Sequence, residues 1–266
     1  MNAGNALAVA LPVWSLFARE VLRFVRQRNR IVGALGTPLL FWVLLGSGFG
    51  RSFSPPGLEA GMDYLAYFFP GTLLLVVLFT AIFSSISIIE DRKDGFLQGV
   101  LVAPVPRLSI VAGKVLGGTA LAVAQGLLLL ALAPLAGLPV GWTHFLAAGG
   151  VMALTAMALS ALGFLWAWRT DSVQGFHAVM NLLLMPMWLL SGALFPSTGA
   201  SPWVRAVMAV NPLTYGLAAL RRVLYGPAIA ARLGDPALAT ALLVLSAFVV
   251  LLSALAVRMA RRGGRV

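Results

Sequence analysis

Residues 64–107 read YLAYFFPGTLLLVVLFTAIFSSISIIEDRKDGFLQGVLVAPVPR. Between Tyr64 and Ile89 no side chain is charged, and then both signs of charge arrive together in Glu90-Asp91-Arg92-Lys93-Asp94. A bilayer core is roughly 30 Å thick and a helix crosses it with about 20 apolar residues, so this run is a transmembrane helix that ends at a membrane boundary.

Working outward, further runs of spanning length lie at 31–50, 108–133, 144–167, 176–195 and 238–257, each bounded by Pro, Gly or charge. With 64–89 they make six. Composition agrees: 60% of residues are hydrophobic, 10% are charged and the mean hydropathy is +0.95. The fold class is therefore an all-α polytopic membrane protein, a single domain that uses nearly the whole chain. The absence of cysteine excludes disulfides and thiolate metal sites.

The net charge of +11 is a topology signal rather than a nucleic-acid footprint. An inside N-terminus puts 14 basic residues in the cytoplasm: Arg19, Arg23, Arg26, Arg28, Arg30, Arg92, Lys93, Arg107, Lys114, Arg169, Arg258, Arg261, Arg262 and Arg265. Five stay outside, namely Arg51, Arg205, Arg221, Arg222 and Arg232. Both termini are then cytoplasmic. Tyr64, Tyr67, Trp142, Trp203, Tyr215 and Tyr225 form the expected outer aromatic belt, and Trp166 and Trp168 the inner one. Seventeen of the 19 basic residues are arginine, which points to a GC-rich bacterial source.

Three segments lie outside the spans. Residues 12–30 project as an amphipathic interfacial helix, with Arg19, Arg23, Arg26 and Arg30 on one stripe and Trp14, Phe17, Val21 and Phe24 opposite. The stretch before it lacks a positive n-region and contains Pro12, so it does not read as a cleavable signal. Residues 91–102 predict a short cytoplasmic helix with an apolar face, stopped by Pro104 and Pro106. That face fits either lipid headgroups or a groove on a soluble partner. Outside, Ser201-Pro202 and Asn211-Pro212 each pair an N-cap with proline, predicting two short outer helices at 202–209 and 212–225.

The chemistry of catalysis is missing. The Gly113-Lys114 pair is followed by Val115, so there is no P-loop, and no His-Glu-x-x-His or Gly-x-Ser-x-Gly occurs. Polar residues within spans include Ser84, Ser85, Gln125, Gln174, His177 and Asn181. Gln174, His177 and Asn181 share a helical face that Met185 and Trp188 extend. They read as a pathway lining or as interhelical hydrogen-bond glue. Gly113-x-x-x-Gly117 marks a close helix approach.

Taken together, the amphipathic helix, Phe69-Pro70-Gly71, the Glu90–Arg107 stretch, and Ser191-Gly192-Ala193-Leu194-Phe195-Pro196 followed by Asn211-Pro212-Leu213-Thr214-Tyr215 resemble the ABC-2 type family of ABC transporter permeases, especially the daunorubicin-resistance drug-export group. The resemblance covers about residues 12 to 258. It implies that residues 91–102 form a coupling helix, with Asp91, Gly95, Phe96, Leu97 and Leu101 as the surface against an ATPase subunit, so that Leu97→Asp is expected to break that association without affecting insertion. It implies an outer gate containing Asn211, Pro212 and Tyr215, and a cargo path at a dimer interface. The partners it implies are two ABC ATPase subunits, which carry ATP and Mg, and a second permease copy or close paralogue in the lipid bilayer of the inner (plasma) membrane. No cofactor on this chain and no nucleic acid are expected. The implied function is export of a drug, lipid or lipid-linked glycan, with a biogenesis factor of the cytochrome-maturation type as the alternative and an intramembrane enzyme as a third class.

Overall fold

The computed structural model describes residues 3–49 and 63–262, with side chains from Val9 to Gln27, Val32 to Phe49 and Asp63 to Arg262. Gly50, the expected end of the first span, and Arg51 and Arg265 of the charge count lie outside the described residues, as do the side chains of Arg28 and Arg30. No strand occurs among the described residues, and six helical segments are long and apolar enough to cross a membrane.

Helix α1 (Ala3–Arg26) breaks at Gln27 and leads into α2 (Arg28–Phe49), the first span. The second span is α3 (Tyr64–Ser84) continued by α4 (Ile86–Lys93), and α5 (Phe96–Val102) follows a sharp corner. Spans three and four are α6 (Arg107–Leu130) and α7 (Trp142–Arg169). The fifth is α8 (Val173–Trp188), which runs into a π-helical turn, Leu189–Ala193. Three short helices, α9 (Pro202–Val210), α10 (Pro212–Tyr225) and α11 (Pro227–Arg232), precede the sixth span, α12 (Leu238–Arg262).

Burial ranks the spans. In the second, 83% of the most apolar stretch is buried within the protomer, against 17% in the first and sixth. A helix that is apolar all round belongs in the centre of a bundle, and α3 has that composition. Small residues let its neighbours close in: a Cβ at Gly118 of α6 would meet Ser84 Oγ at 2.3 Å, and one at Gly163 of α7 would meet Ser85 Oγ at 2.6 Å.

Several expected boundaries move. The amphipathic helix starts well before residue 12 and passes through Pro12, because α6 holds it on both sides of the proline. Ser109 donates to the Val9 carbonyl (3.1 Å), and a Cβ at Gly113 would lie 2.6 Å from Leu16 Cβ. A Cβ at Gly117 would lie 2.8 Å from Glu20 Cβ, so the Gly113/Gly117 pair seats α1 on α6. The helix turns Arg19 and Arg23 toward the protein, whereas Leu11, Trp14, Leu22, Val25 and Arg26 face outward.

At its charged end, which the basic-residue count expects to be cytoplasmic and which is termed the inner end, with the opposite end termed outer, the second span extends to Lys93, so Asp91 belongs to it and the helix expected at 91–102 contracts to α5. Gly95 makes the corner at φ +76°, a conformation that costs a residue with a Cβ about 1 kcal/mol or more. At the outer end, α10 is no surface cap: its Gly216 faces Thr155 of α7 and Leu74 deep in α3, and Leu213, Leu217 and Leu220 are fully buried, so α10 dips into the bundle. Tyr64 and Tyr67, expected in the outer belt, are core residues, whereas Trp142 and Trp203 are exposed.

Candidate functional site

Two polar clusters hold the two ends of the second span. At the inner end Asp91, fully buried, takes Arg19 Nη1 at 2.7 Å and Arg23 Nη1 at 2.9 Å. On its other side Asp91 and Glu20 both bind Lys114 Nζ, which also donates to Ser87 Oγ at 3.1 Å. Arg23 reaches on to Glu90 at 3.0 Å. One cluster thus joins α1, α4 and α6, with acids and bases interleaved so that each buried charge has an opposite neighbour.

Helix α5 is wired to the same cluster. The Arg19 guanidinium lies 3.7 Å from the Phe96 ring centroid, a cation–π contact. Arg107 donates to the Leu101 carbonyl at 3.2 Å, capping the C-terminal end of α5, and Gln98 donates to the Arg92 carbonyl at 3.0 Å. Arg92 in turn donates to the carbonyls of Trp168 (2.6 Å) and Thr170 (3.2 Å) and pairs with Asp171 (3.1 Å), which fastens the end of α7. Helix α5 is therefore joined directly to α1, α4 and α6, and through Arg92 of α4 to the end of α7.

The residues expected on the coupling surface divide. Gly95 and Phe96 are exposed, Leu101 is half-buried, and Leu97 and Asp91 are buried. Asp91 organises the interior cluster because its helix delivers it to Lys114, and Leu97 anchors α5 to the core. The outward ridge is Phe96, Gly99 and Val102, with Val102 88% exposed.

At the outer end broken helices leave carbonyls without partners, and side chains supply them. Pro70 lacks the N–H that would bond the Ala66 carbonyl, and the Tyr225 hydroxyl donates to that carbonyl instead. Trp188 Nε1 donates to the Gly71 carbonyl at 2.9 Å, and Gly71 meets Ala193 closely enough that a Cβ would lie 2.8 Å from its methyl. Gly192, at φ +94°, breaks the fifth span. Its carbonyl accepts from Arg221 Nη2 (2.8 Å) and Tyr67 Oη (3.3 Å). Asn211 caps α10 by accepting from Leu213 N (3.0 Å) while its amide donates to Met187 (2.6 Å) and Leu190 (3.3 Å).

Arg221 is completely buried; it faces Asp235 at 3.5 Å and stacks over the Tyr67 ring at 4.7 Å. Burial pushes the Asp235 carboxyl above its ordinary range, and Arg221 pulls it part of the way back. Of the expected gate residues, Asn211 and Pro212 are buried in this knot. Tyr215 sits beside it, its hydroxyl donating to the Ala209 carbonyl at 2.7 Å.

The residues read as pathway lining or glue also divide. Ser84 and Ser85 are buried where α3 meets α6 and α7, with Ser84 donating to the Ala81 carbonyl, which suits packing. Gln174 and Asn181 lie exposed along α8 with Met185, and His177 is half-buried against the Phe83 ring at 4.8 Å. The serines are thus apart from the open strip, and Trp188, expected to extend it, turns inward.

Glu20, Lys114, Tyr67, Arg221 and Asp235 are not identified as site residues by sequence patterns. A signal existed for the first pair: Lys114 lies inside an apolar helix where an ammonium needs a partner, and Glu20 is the lone acid among the arginines of α1.

Comparison with known proteins places this architecture. Over 238 residues, 89% of each chain, the protein is 27% identical to the inner membrane transport permease YadH of Escherichia coli K12. It is 27% identical over 213 residues to nodulation protein J of Rhizobium leguminosarum bv. viciae, covering 75% of this chain and 76% of that one. It is 22% identical over 233 residues to the daunorubicin resistance ABC transporter permease protein DrrB1 of Streptomyces coeruleorubidus, covering 84% and 78%. The model of the ABC-2 type transporter family matches residues 12–225, from α1 through α10, and the chain belongs to that family as a membrane-spanning transport subunit.

Proposed function

We propose that the chain is the permease subunit of an exporter that moves a hydrophobic or amphiphilic compound out of the cytoplasm, driven by ABC ATPase subunits that dock on the Phe96–Gly99–Val102 ridge of α5. Two ATPases, which bind the ATP and Mg, would serve two permease copies or a permease and a close paralogue in the inner membrane, with termini in the cytoplasm. The observation that carries this reading is α5 itself, a short helix that exposes Phe96, Gly99 and Val102 and is tied by Arg19, Gln98 and Arg107 to α1, α4 and α6. ATP-driven movement of the docked partner would shift the permease between conformations through those ties. The open strip of α8 with Gln174, His177 and Asn181 is the surface that a second copy would cover to enclose a path. Asn211, Pro212 and Tyr215 would form its outer gate together with Arg221 and Gly192. The daunorubicin-resistance relative favours a drug-like cargo.

The test is co-purification with the ATPase encoded beside the gene. Leu97→Asp, the substitution suggested by the sequence, is unsuitable because it would bury a carboxylate and disturb the α4–α5 corner. Val102→Asp changes only the ridge, so ATPase binding and transport should both be lost while the purified permease keeps its thermal stability. Undiminished capture of the ATPase by Val102→Asp together with Phe96→Asp would overturn the assignment.

A further inference from the structure

The last turns of α12 pass the first turn of α6 and leave a groove of about 600 Å³, lined by Leu108 of α6 and by Ser253, Ala254, Val257, Arg258, Arg261 and Arg262 of α12. The three arginines fall at i, i+3 and i+4 and so share one face, where like charges repel. None of them has a hydrogen bond or ion pair with a described residue, and the groove has no acidic lining. Arg19, Arg23, Arg92 and Arg107, at the same end of the molecule, are all bonded to carboxylates or capped carbonyls.

A C-terminal helix dipole offers only about half a negative charge and cannot balance three guanidiniums. The three guanidiniums are exposed along the groove, within joint reach of a single anion. The groove has an apolar floor, made by Leu108, Ala254 and Val257, and it opens beside Leu251 and Leu255, which face away from the protein. The anion it suits therefore carries a hydrocarbon tail.

We infer that this groove binds an anionic phospholipid, its phosphate held by Arg258, Arg261 and Arg262 and the start of its acyl chains against Leu108 and Val257. Guanidinium forks match phosphate oxygens in pairs, and the groove lies where a headgroup meets the hydrocarbon. Placement in the inner leaflet rests on the orientation proposed above, but the binding itself does not.

The test uses the purified permease in nanodiscs of phosphatidylcholine with or without phosphatidylglycerol, read by native mass spectrometry and thermal melting, with no ATPase required. Wild type should retain phosphatidylglycerol and melt at a higher temperature with it. Leu108→Trp, which fills the groove at a half-exposed position and leaves every charge in place, should lower retention about tenfold, as should R258Q/R261Q/R262Q. Retention by Leu108→Trp at the wild-type level, or equal retention of phosphatidylcholine, would overturn the inference. So would inorganic phosphate at millimolar concentration reproducing the whole thermal shift, since that assigns the groove to a free anion.

Discussion

The two ends of the second span are secured by opposite chemistry. At the inner end the groups are full charges on side chains: Asp91 among Lys114, Arg19 and Arg23, with Glu20 completing the set. At the outer end they are mainly peptide carbonyls: those of Ala66 and Gly192, left open by Pro70 and by the break in the fifth span, and that of Gly71, which takes Trp188, with the Arg221–Asp235 pair beside them. Charge attraction falls off slowly with distance and tolerates changes of angle. A hydrogen bond to a carbonyl weakens steeply once its angle falls below about 120°. The inner cluster can thus be pushed and stay connected, whereas the outer knot is either made or broken. That division suits a span that receives a displacement at one end and switches a closure at the other.

Lys114→Leu puts the greatest strain on this contrast. It leaves Glu20 and part of Asp91 buried without a counter-charge, and breaking a buried pair in this way costs about 3–5 kcal/mol. Thermal melting in detergent should show a large loss. The double variant K114L/E20L should recover most of it, because Asp91 still has Arg19 and Arg23. A double variant no better than the single one would mean that packing on α1, and not charge balance, holds the inner end.

Arg221→Met tests the outer knot at its fully buried cation. It removes charged hydrogen bonds to Gly192 and Asp235, for a loss of about 2–3 kcal/mol. Arg221→Lys should rescue little, since one ammonium cannot span both acceptors as the guanidinium does. The loss should also depend on pH. Asp235 already has a raised pKa, and without Arg221 it rises further, so the folded state holds its proton more tightly than the unfolded chain. The deficit of Arg221→Met is then smallest in acid and grows as pH rises through the folded pKa. Melting curves across pH would show the opposite slope if Asp235 were held as a carboxylate by other groups.

Most of the fold was legible because apolar length is a local property. The six spans follow from runs such as 64–89, and the stop before Pro104 and the helix starts at Pro202 and Pro212 follow from proline chemistry. The inner cluster was not legible, since Glu20 and Lys114 are 94 residues apart in the chain and only the seating of α1 on Gly113 and Gly117 brings them together. Asp91 shows the same limit from the other side. Its place beside the corner was readable, but whether a carboxylate at a helix end faces a partner or the interior depends on what packs there. The depth of α10 was hidden because its mix of apolar residues and arginines suits a surface helix equally well until Gly216 is set against Thr155 of α7 and Leu74 of α3.

The smallest expected effect gives the sharpest view of the outer end. Tyr225→Phe removes one hydroxyl and leaves the Ala66 carbonyl without a donor, a loss of about 1 kcal/mol. If the hydroxyl is there because Pro70 has no N–H, then Pro70→Ala restores the helical donor and makes the hydroxyl redundant. In the Pro70→Ala background, Tyr225→Phe should cost almost nothing, and the double-mutant cycle should return a coupling close to the single effect. A cycle with no coupling would leave Tyr225 as a packing residue. Full coupling would mean that the outer knot is a repair of a proline break, so that the same proline which weakens the second span there also creates the acceptor that joins it to α10.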